Sequence, residues 1–598
     1  MIENYQIVIS ENANECETYA AEELQKYIRQ STQQEFPIIK DNETVENGKY
    51  ISVGDTALAK TLNTENLKMD GFRIKTDKNN VLIKGQRNSA TLFGVYDFVE
   101  RFLGVKFLTA DYVYVPKTES FELGEIDITQ IPSFEKRFCH TYTAKVKQAG
   151  MVRMRFQPNY AFGDENEKRK FGELCFENIG RYHAYSYLVP FEKYGEQHPE
   201  WFADPNAIPA KRVQPSLANG LTDDGEVDES MEESVLKTVI EAIKKKVLEN
   251  PLGRYVCLGS NDCHNWCKSE KDQHQREIFG GLSGQSVVFT NAVAKAVDEW
   301  LEKEKIDRKL QYWMFAYGRT VEPPDLTAEK AHLVKTRDNV YIHLALLEDA
   351  WNVPLNDPRN TRAYRVIPIW QQVSDNFYMY DYTGNFNNIF NWSPTLTVLK
   401  PNVLYYKELG VEHYTSEGGC FGYVNKVKIY VLSKLMWNVD RNVDELITEF
   451  NRYYFGEKAG KVLDEMVAFC NAHYQKISLG DEFKKAGLYD VGSPWQKSPE
   501  TLNVEFVSKV QDYVQKAKAL LEDEDQLFRF NDLELMVDMM KYLNYDALWK
   551  TTDEEKQRFL QDFYSRVKKS GVLETNKPRF GSKWEKLIPE EFAQYGIY

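Results

Sequence analysis

Residues 254–262 read RYVCLGSND, and this stretch decides the fold that we predict for the chain. Its first half is a short apolar run typical of a buried β-strand, and the polar residues Asn261 and Asp262 follow where the run ends. Helical patterns flank it at 234–248 and 286–303. Strand and helix therefore alternate here, which is the pattern of βα units built around a parallel sheet.

Seven other short apolar runs repeat this pattern along the middle of the chain. They are 137–143, 180–189, 213–221, 310–317, 340–347, 376–382 and 411–416. A further clear helix is predicted at 426–436. Eight strands that alternate with helices predict an α/β fold whose centre is a (β/α)8 TIM barrel, and we assign residues 126–438 to it as the catalytic domain.

The two ends of the chain have different patterns. Residues 1–125 combine short strands with two helices and a hairpin signal around 77–80, which predicts a non-catalytic α+β sandwich domain. Residues 439–598 are dominated by helical periodicity with mixed charges on the outer faces, which predicts a C-terminal helical domain that stabilises the barrel or mediates dimerisation. The predicted C-terminal helices are 443–455, 459–473, 504–521, 532–548 and 554–568.

Composition excludes several classes of function. A net charge of −15 with no basic stripe argues against a nucleic-acid partner. No apolar run approaches the roughly 20 residues of a membrane span. The N-terminus lacks a signal-peptide pattern, so we expect a cytoplasmic protein or an exported one whose signal has been removed. A homo-oligomer is compatible with all of these features.

Polar residues recur where the apolar runs end. In a barrel of this type the catalytic groups lie at the C-terminal ends of the strands, and glycoside hydrolysis needs an acid together with a second stabilising or attacking group. Carboxylates with aromatic neighbours at one barrel mouth therefore predict a glycosidase. The catalytic candidates are Asp262, Glu417, Glu348 and Asp349, and the substrate-binding candidates are Asn261, His183, Tyr317, Trp351, Asp381 and Tyr382.

Other chemistries have weaker support in the sequence. Cys263, His264, Cys267 and His274 are residue types that bind zinc, but Cys-x3-Cys without a second pair is not the pattern of a closed zinc site, and we expect a packed, reduced loop with no metal. The chain has no Gly-x-Ser-x-Gly elbow, no P-loop and no dinucleotide fingerprint. We therefore expect no cofactor.

Two parts of the chain resemble known families. Ala20-Ala21-Glu22-Glu23-Leu24, Ile51-Ser52-Val53-Gly54 and the segment GQRNSATLFGVYDFVE at 85–100 resemble the N-terminal domain of glycoside hydrolases such as hexosaminidases and α-glucuronidases. The middle region resembles the domain of unknown function 4838 family, which includes glycoside hydrolase family 163. The residues that carry this second resemblance are VPFEKY at 189–194, HPEWF at 198–202, QPSL at 214–217, SNDC at 260–263, Cys267, AY at 316–317, PP at 323–324, DY at 381–382, NF at 385–386, PN at 401–402 and YVLSKLMW at 430–437.

The resemblance implies a carbohydrate substrate. Family 163 enzymes are endo-β-N-acetylglucosaminidases that release N-glycans. By analogy with other barrels that cut after N-acetylglucosamine, Asp262 would be the acid and Asn261 would orient the substrate's acetamide. The chain departs from the family where it reads Ser416-Glu417-Gly418, since the family often has Glu-Gln-Gly there. An exo-acting glycosidase such as an α-glucuronidase, and a non-catalytic carbohydrate-binding protein on a barrel scaffold, remain as alternatives.

Overall fold

The protein is described by a computed structural model that covers most of the chain. The described residues are 5–118, 123–140, 148–158, 165–172, 177–203, 213–346, 352–384, 390–418, 421–478, 501–543, 545–549 and 551–570.

The N-terminal part contains a six-stranded mixed sheet and two helices that pack against each other. Its elements are β1 (Tyr5–Ile9), α1 (Glu15–Thr32), β2 (Ile38–Lys40), β3 (Lys49–Val53), β4 (Phe72–Asp77), β5 (Asn80–Gly85), α2 (Asn88–Phe102), β6 (Lys106–Phe107), β7 (Val113–Tyr114) and β8 (Asp127–Gln130). The strand order is β2-β1-β3-β5-β4-β8, and β6 and β7 form a separate pair. Asn14 and Glu17 form a capping box at the start of α1, which satisfies two backbone amides that the first turn would leave unpaired. Because β8 pairs with β4, this sheet continues to Gln130.

The central part is a curled, all-parallel sheet of seven strands among the described residues. Its elements are β9 (Lys136–His140), α3 (Gln148–Arg153), α4 (Glu165–Lys170), β10 (Asn178–Ile179), α5 (Tyr185–Leu188), α6 (Phe191–Tyr194), α7 (Val235–Glu249), β11 (Tyr255–Cys257), α8 (Glu270–Ile278), α9 (Leu282–Lys303), β12 (Gln311–Ala316), β13 (Val340–Ala345), α10 (Thr361–Val373), β14 (Phe377–Tyr382), α11 (Leu399–Glu408), β15 (His413–Glu417) and α12 (Tyr423–Trp437). The strand order is β10-β11-β12-β13-β14-β15-β9. Lys136 Nζ donates to Asn178 Oδ1 over 2.9 Å, so a side chain links the two edge strands, β9 and β10.

Two of the eight predicted strands are wrong. Strand β10 pairs directly with β11, so the sheet has no place for a strand at 213–221 between them, and that segment forms only isolated bridges at Pro215 and Leu221. The run 180–189 starts directly after β10, which is only two residues long. The later residues of the run form helix α5. Gly180 has φ +93°, a left-handed conformation that ends the strand. The structure therefore confirms a mixed α/β fold with a curled parallel sheet but not a closed (β/α)8 barrel.

The described residues of the C-terminal part are mostly helical, as the sequence pattern predicts. Its helices are α13 (Val443–Phe455), α14 (Glu457–Ser478), α15 (Val504–Lys518), α16 (Glu524–Leu543), α17 (Tyr545–Leu548) and α18 (Asp553–Lys569). The fourth predicted helix begins earlier and ends earlier than expected, at Glu524 and Leu543. No helix in the described part of the chain combines the length and apolar character needed to cross a bilayer.

A buried ionic cluster joins the N-terminal part to the central sheet. Asp70 accepts hydrogen bonds from Arg87 Nη2 and Arg137 Nη2, each over 2.6 Å. Arg87 Nη1 also donates to Glu177 Oε1 over 2.5 Å, just before β10. Asp70 and Arg137 are fully buried, and the arginines hold the pKa of Asp70 below its ordinary value although burial opposes this. The cluster fixes β9 and β10 against the N-terminal sheet.

Candidate functional site

We call the open C-terminal end of the curled sheet its mouth. Because side chains alternate along a strand, only every second residue points towards the inside of the sheet and its mouth. Trp313, Phe315, His343, Tyr378 and Tyr380 pack against one another inside the sheet, with His343 4.7 Å from Trp313 and 5.2 Å from Phe315 between ring centroids. In (β/α)8 barrels, substrates bind beyond such a layer of side chains, at the C-terminal ends of the strands.

The next layer towards the C-terminal ends contains predicted site residues. Tyr382 and Glu417 are register partners in β14 and β15, two residues beyond the interior pair Tyr380 and Thr415. Successive residues alternate between the faces of a strand, so Tyr382 and Glu417 point to the same side as Tyr380. Tyr317 directly follows β12, two residues beyond the interior Phe315. The structure thus brings three of the predicted residues to one end of the sheet.

A hydrogen-bonded chain connects two of these residues to Asp262. Tyr317 Oη donates to Asp262 Oδ1 over 3.3 Å, and Asp262 is exposed. Burial and the adjacent Asp262 carboxylate raise the pKa of Tyr317 to about 12. Tyr382 hydrogen-bonds to Tyr317, and burial together with these neighbours raises the pKa of Tyr382. Both phenols therefore keep their protons near neutral pH, and Tyr317 remains a donor to Asp262.

The loop that carries Asp262 is hydrogen-bonded to the segment that follows β10. His183 Nδ1 lies 2.8 Å from the carbonyl oxygen of Ser260, so this nitrogen carries the proton and donates. Asn261 is 7% exposed, and both ends of its side-chain amide bind backbone: Oδ1 accepts from Ser186 N over 2.8 Å and Nδ2 donates to Val213 O over 2.7 Å. The side chain of Asn261 thus holds the loop in place.

Asp381 faces the opposite side of the sheet from the other candidates. It precedes Tyr382 in β14, and Tyr414 Oη donates to Asp381 Oδ2 over 2.7 Å in the layer between the sheet and the outer helices. Burial raises the pKa of Asp381, and the hydrogen bonds from Tyr414 and Tyr406 oppose this increase. The structure therefore does not bring Asp381 together with Asp262, Tyr317 and Tyr382.

Three predicted residues lie outside the part of the chain that the structure describes, and one of the zinc candidates pairs with an aspartate. Glu348, Asp349 and Trp351 lie outside the described residues. His274 Nε2 lies 3.1 Å from Asp223 Oδ2. Within the described residues no three His, Cys, Asp or Glu side chains are grouped to hold a metal ion.

Sequence reasoning missed two buried polar residues next to the site. Gln214 binds the backbone of the Asp262 loop and is fully buried. Lys428 of α12 is also fully buried; its Nζ donates to the carbonyl of Thr383, directly after Tyr382, and to Asn425 Oδ1 over 2.7 Å. Burial lowers the pKa of Lys428 to about 7. The sequence feature that could have identified Lys428 is a lysine within the apolar run at 427–432. For Gln214 the feature is its place in the QPSL motif at 214–217.

Solved structures are similar to this chain at low sequence identity. A family GH115 4-O-methyl-α-glucuronidase with specificity for decorated arabinogalactans is 13% identical, with a TM-score of 0.60 over 95% of this chain and 77% of its own. A GH138 enzyme that targets pectin rhamnogalacturonan II is 11% identical, with a TM-score of 0.47 over 95% and 91% of the two chains. The protein CpGH84D is 10% identical, with a TM-score of 0.44 over 95% and 90%.

Sequence comparisons place the chain in a family. No curated protein matches it. Residues 3–98 match the profile of the glycosyl hydrolase family 67 N-terminus. Residues 107–468, which include every site residue described above, match the profile of the domain of unknown function DUF4838. The chain therefore belongs to the DUF4838 family.

Proposed function

We propose that the protein is a glycoside hydrolase that cleaves glycans after N-acetylglucosamine, in the manner of an endo-β-N-acetylglucosaminidase, with Asp262 as the acid. The observation that carries the proposal is the chain Tyr382–Tyr317–Asp262 at the C-terminal end of the curled sheet. We further propose that this sheet is a variant of the (β/α)8 barrel, in which active sites lie at this end.

The geometry suits a proton donor to the leaving oxygen. Tyr317 binds Oδ1 of the exposed Asp262, so Oδ2 would be the oxygen that gives its proton to the glycosidic oxygen. A positioned acid in hydrogen-bond reach of the leaving group contributes about 100-fold to 10,000-fold to such reactions. The second group, which attacks or stabilises the anomeric carbon, would be the acetamide of the substrate or the carboxylate of Glu417. Glu417 lies on β15 directly beside Tyr382 of β14.

Mass spectrometry of glycans released from a panel of glycoproteins and oligosaccharides tests this function. The wild-type protein should release N-glycans that end in a single N-acetylglucosamine, and Asp262→Asn should not. Asp375→Asn is the matched control, because Asp375 is an exposed aspartate at the opposite, N-terminal end of β14. Release of a terminal uronic acid instead would favour the exo-acting α-glucuronidase alternative, and sugar binding without any release would favour a carbohydrate-binding protein.

A further inference from the structure

Gln214 makes an unusual set of contacts with the backbone around Asp262. Its side-chain Nε2 donates to the carbonyl of Asn261 over 2.7 Å and to the carbonyl of Cys263 over 3.2 Å. Its Oε1 accepts from the backbone amide of Asn261 over 3.0 Å. The residues immediately before and after Asp262 are therefore both bound by one side-chain amide.

Backbone hydrogen bonds hold the segment around Gln214 between the Asp262 loop and residues 201–203. The backbone amide of Gln214 donates to the carbonyl of Asn265 over 3.2 Å, and its carbonyl accepts from the amide of Ala203 over 3.1 Å. The amide of Ser216 donates to the carbonyl of Trp201 over 2.7 Å. The run 213–221, expected as a barrel strand, thus starts as a connector between the loop after β10 and the loop after β11.

We propose that Gln214 is a positioning residue that fixes Asp262 in its orientation towards the mouth of the sheet. This inference rests on the proposed function for its catalytic consequence. Asp262 is exposed and has one hydrogen bond from a described side chain, that of Tyr317, so the direction of its carboxylate depends on the backbone that carries it. Gln214 is fully buried and cannot contact a substrate, so it acts only through that backbone.

Gln275 provides a matched control within the same part of the molecule. It is also a fully buried glutamine, and its Nε2 donates to the carbonyl of Leu221 over 3.0 Å and to Asp223 Oδ1 over 3.2 Å. Replacement by methionine removes the polar atoms of either side chain while keeping its approximate volume. The two variants therefore lose similar hydrogen bonds, but only Gln214→Met loses those that flank Asp262.

The experiment measures kcat and KM on a fluorescently labelled N-glycopeptide, together with hydrogen exchange of residues 259–267, in the full-length protein. For Gln214→Met we expect kcat to fall about 100-fold, as for a small misplacement of a reacting group, with KM little changed and faster exchange at 259–267. For Gln275→Met we expect unchanged kcat and faster exchange around residue 221. Equal kcat values for the two variants, or unchanged exchange at 259–267 in Gln214→Met, would overturn the proposal.

A second variant and the exchange measurement keep the test decisive if Gln214→Met does not fold or if the wild-type protein cleaves no glycan. If Gln214→Met does not fold, Gln214→Asn keeps an amide but is one methylene shorter, so it cannot reach both carbonyls, and smaller changes in the same direction are expected. If the wild-type protein cleaves no glycan, the proposed function fails, whereas the exchange measurement still decides whether Gln214 holds the loop.

Discussion

Tyr317 donates a hydrogen bond from its Oη to Oδ1 of Asp262 over 3.3 Å, at the end of the sheet where the substrate of a barrel enzyme binds. The pKa of Tyr317 is raised to about 12, so the phenol stays protonated and the bond persists across the pH range in which the protein would work. Any reaction that uses Asp262 is therefore sensitive to this tyrosine.

Tyr317→Phe should lower kcat/KM about tenfold to hundredfold, because Asp262 becomes charged as its proton leaves in the transition state and hydrogen bonds to charged groups contribute about 1.5–3 kcal/mol. Steady-state kinetics on a released N-glycan measures the effect. Tyr312→Phe is the matched control: Tyr312 lies in β12, which Tyr317 directly follows, and it donates to Asp298 over 3.0 Å, away from the mouth. Equal losses of activity in the two variants would show that the Tyr317 bond has no special role.

Asp70→Ala should destabilise the fold strongly. Removing one partner of a buried ion pair leaves an uncompensated charge, here on the fully buried Arg137, at a cost of about 3–5 kcal/mol. Chemical denaturation measures the free energy of unfolding. Asp55→Ala, which breaks the exposed pair with Lys84, should change it by less than about 1 kcal/mol. A mild effect of Asp70→Ala would contradict the role given to the cluster.

His343→Leu should make the protein less sensitive to acid. Burial lowers the pKa of His343 to about 3 in the fold, so between its ordinary pKa of 6.5 and about 3 the unfolded chain binds a proton that the folded protein does not. The wild-type protein therefore loses stability as pH falls through this window, and the variant lacks this contribution. Calorimetric Tm values at neutral pH and at about pH 4.5 test this, with the exposed His332→Leu as control. Parallel losses in wild type and His343→Leu would contradict it.

Lys428→Met should change the alkaline side of the stability profile. Burial lowers the pKa of Lys428 from 10.5 to about 7, so between these values the unfolded chain holds the extra proton. Wild-type stability should rise as pH increases from about 7 to about 10, and the rise should be smaller in the variant, which keeps the contribution of Lys136, whose pKa burial lowers to about 8. Denaturation midpoints measured across this range decide the matter. The same rise in both proteins would rule out Lys428 as its source.

Local patterns in the sequence predict most of the strands and helices, but they do not predict whether the parallel sheet closes into a barrel. Six of the eight apolar runs form strands, because alternating side chains and flanking helices are local signals. The runs 180–189 and 213–221 contain more polar residues, and many of their residues are buried through loop contacts such as those of Gln214. Such long-range contacts leave no periodic signal in the chain.

The candidate site was predictable for residues whose position at a strand end is enough. Asp262, Tyr317 and Tyr382 lie where the strand-end rule placed them. Asp381 follows the same rule in sequence, yet it faces the outer helices because it lies one residue from Tyr382 and strand faces alternate. Which of Asp381 and Tyr382 faces the mouth depends on the exact register of β14 against β15. A single sequence predicts that register only to within a few residues.

The central claim is that Asp262 donates the proton in glycan cleavage, and one comparison tests it most directly: mass spectrometry of N-glycans released by the wild-type protein, Asp262→Asn and Asp375→Asn. The account predicts release by the wild type and Asp375→Asn, and a loss of at least about 100-fold in Asp262→Asn with its fold intact. Release by Asp262→Asn at the wild-type rate would contradict it.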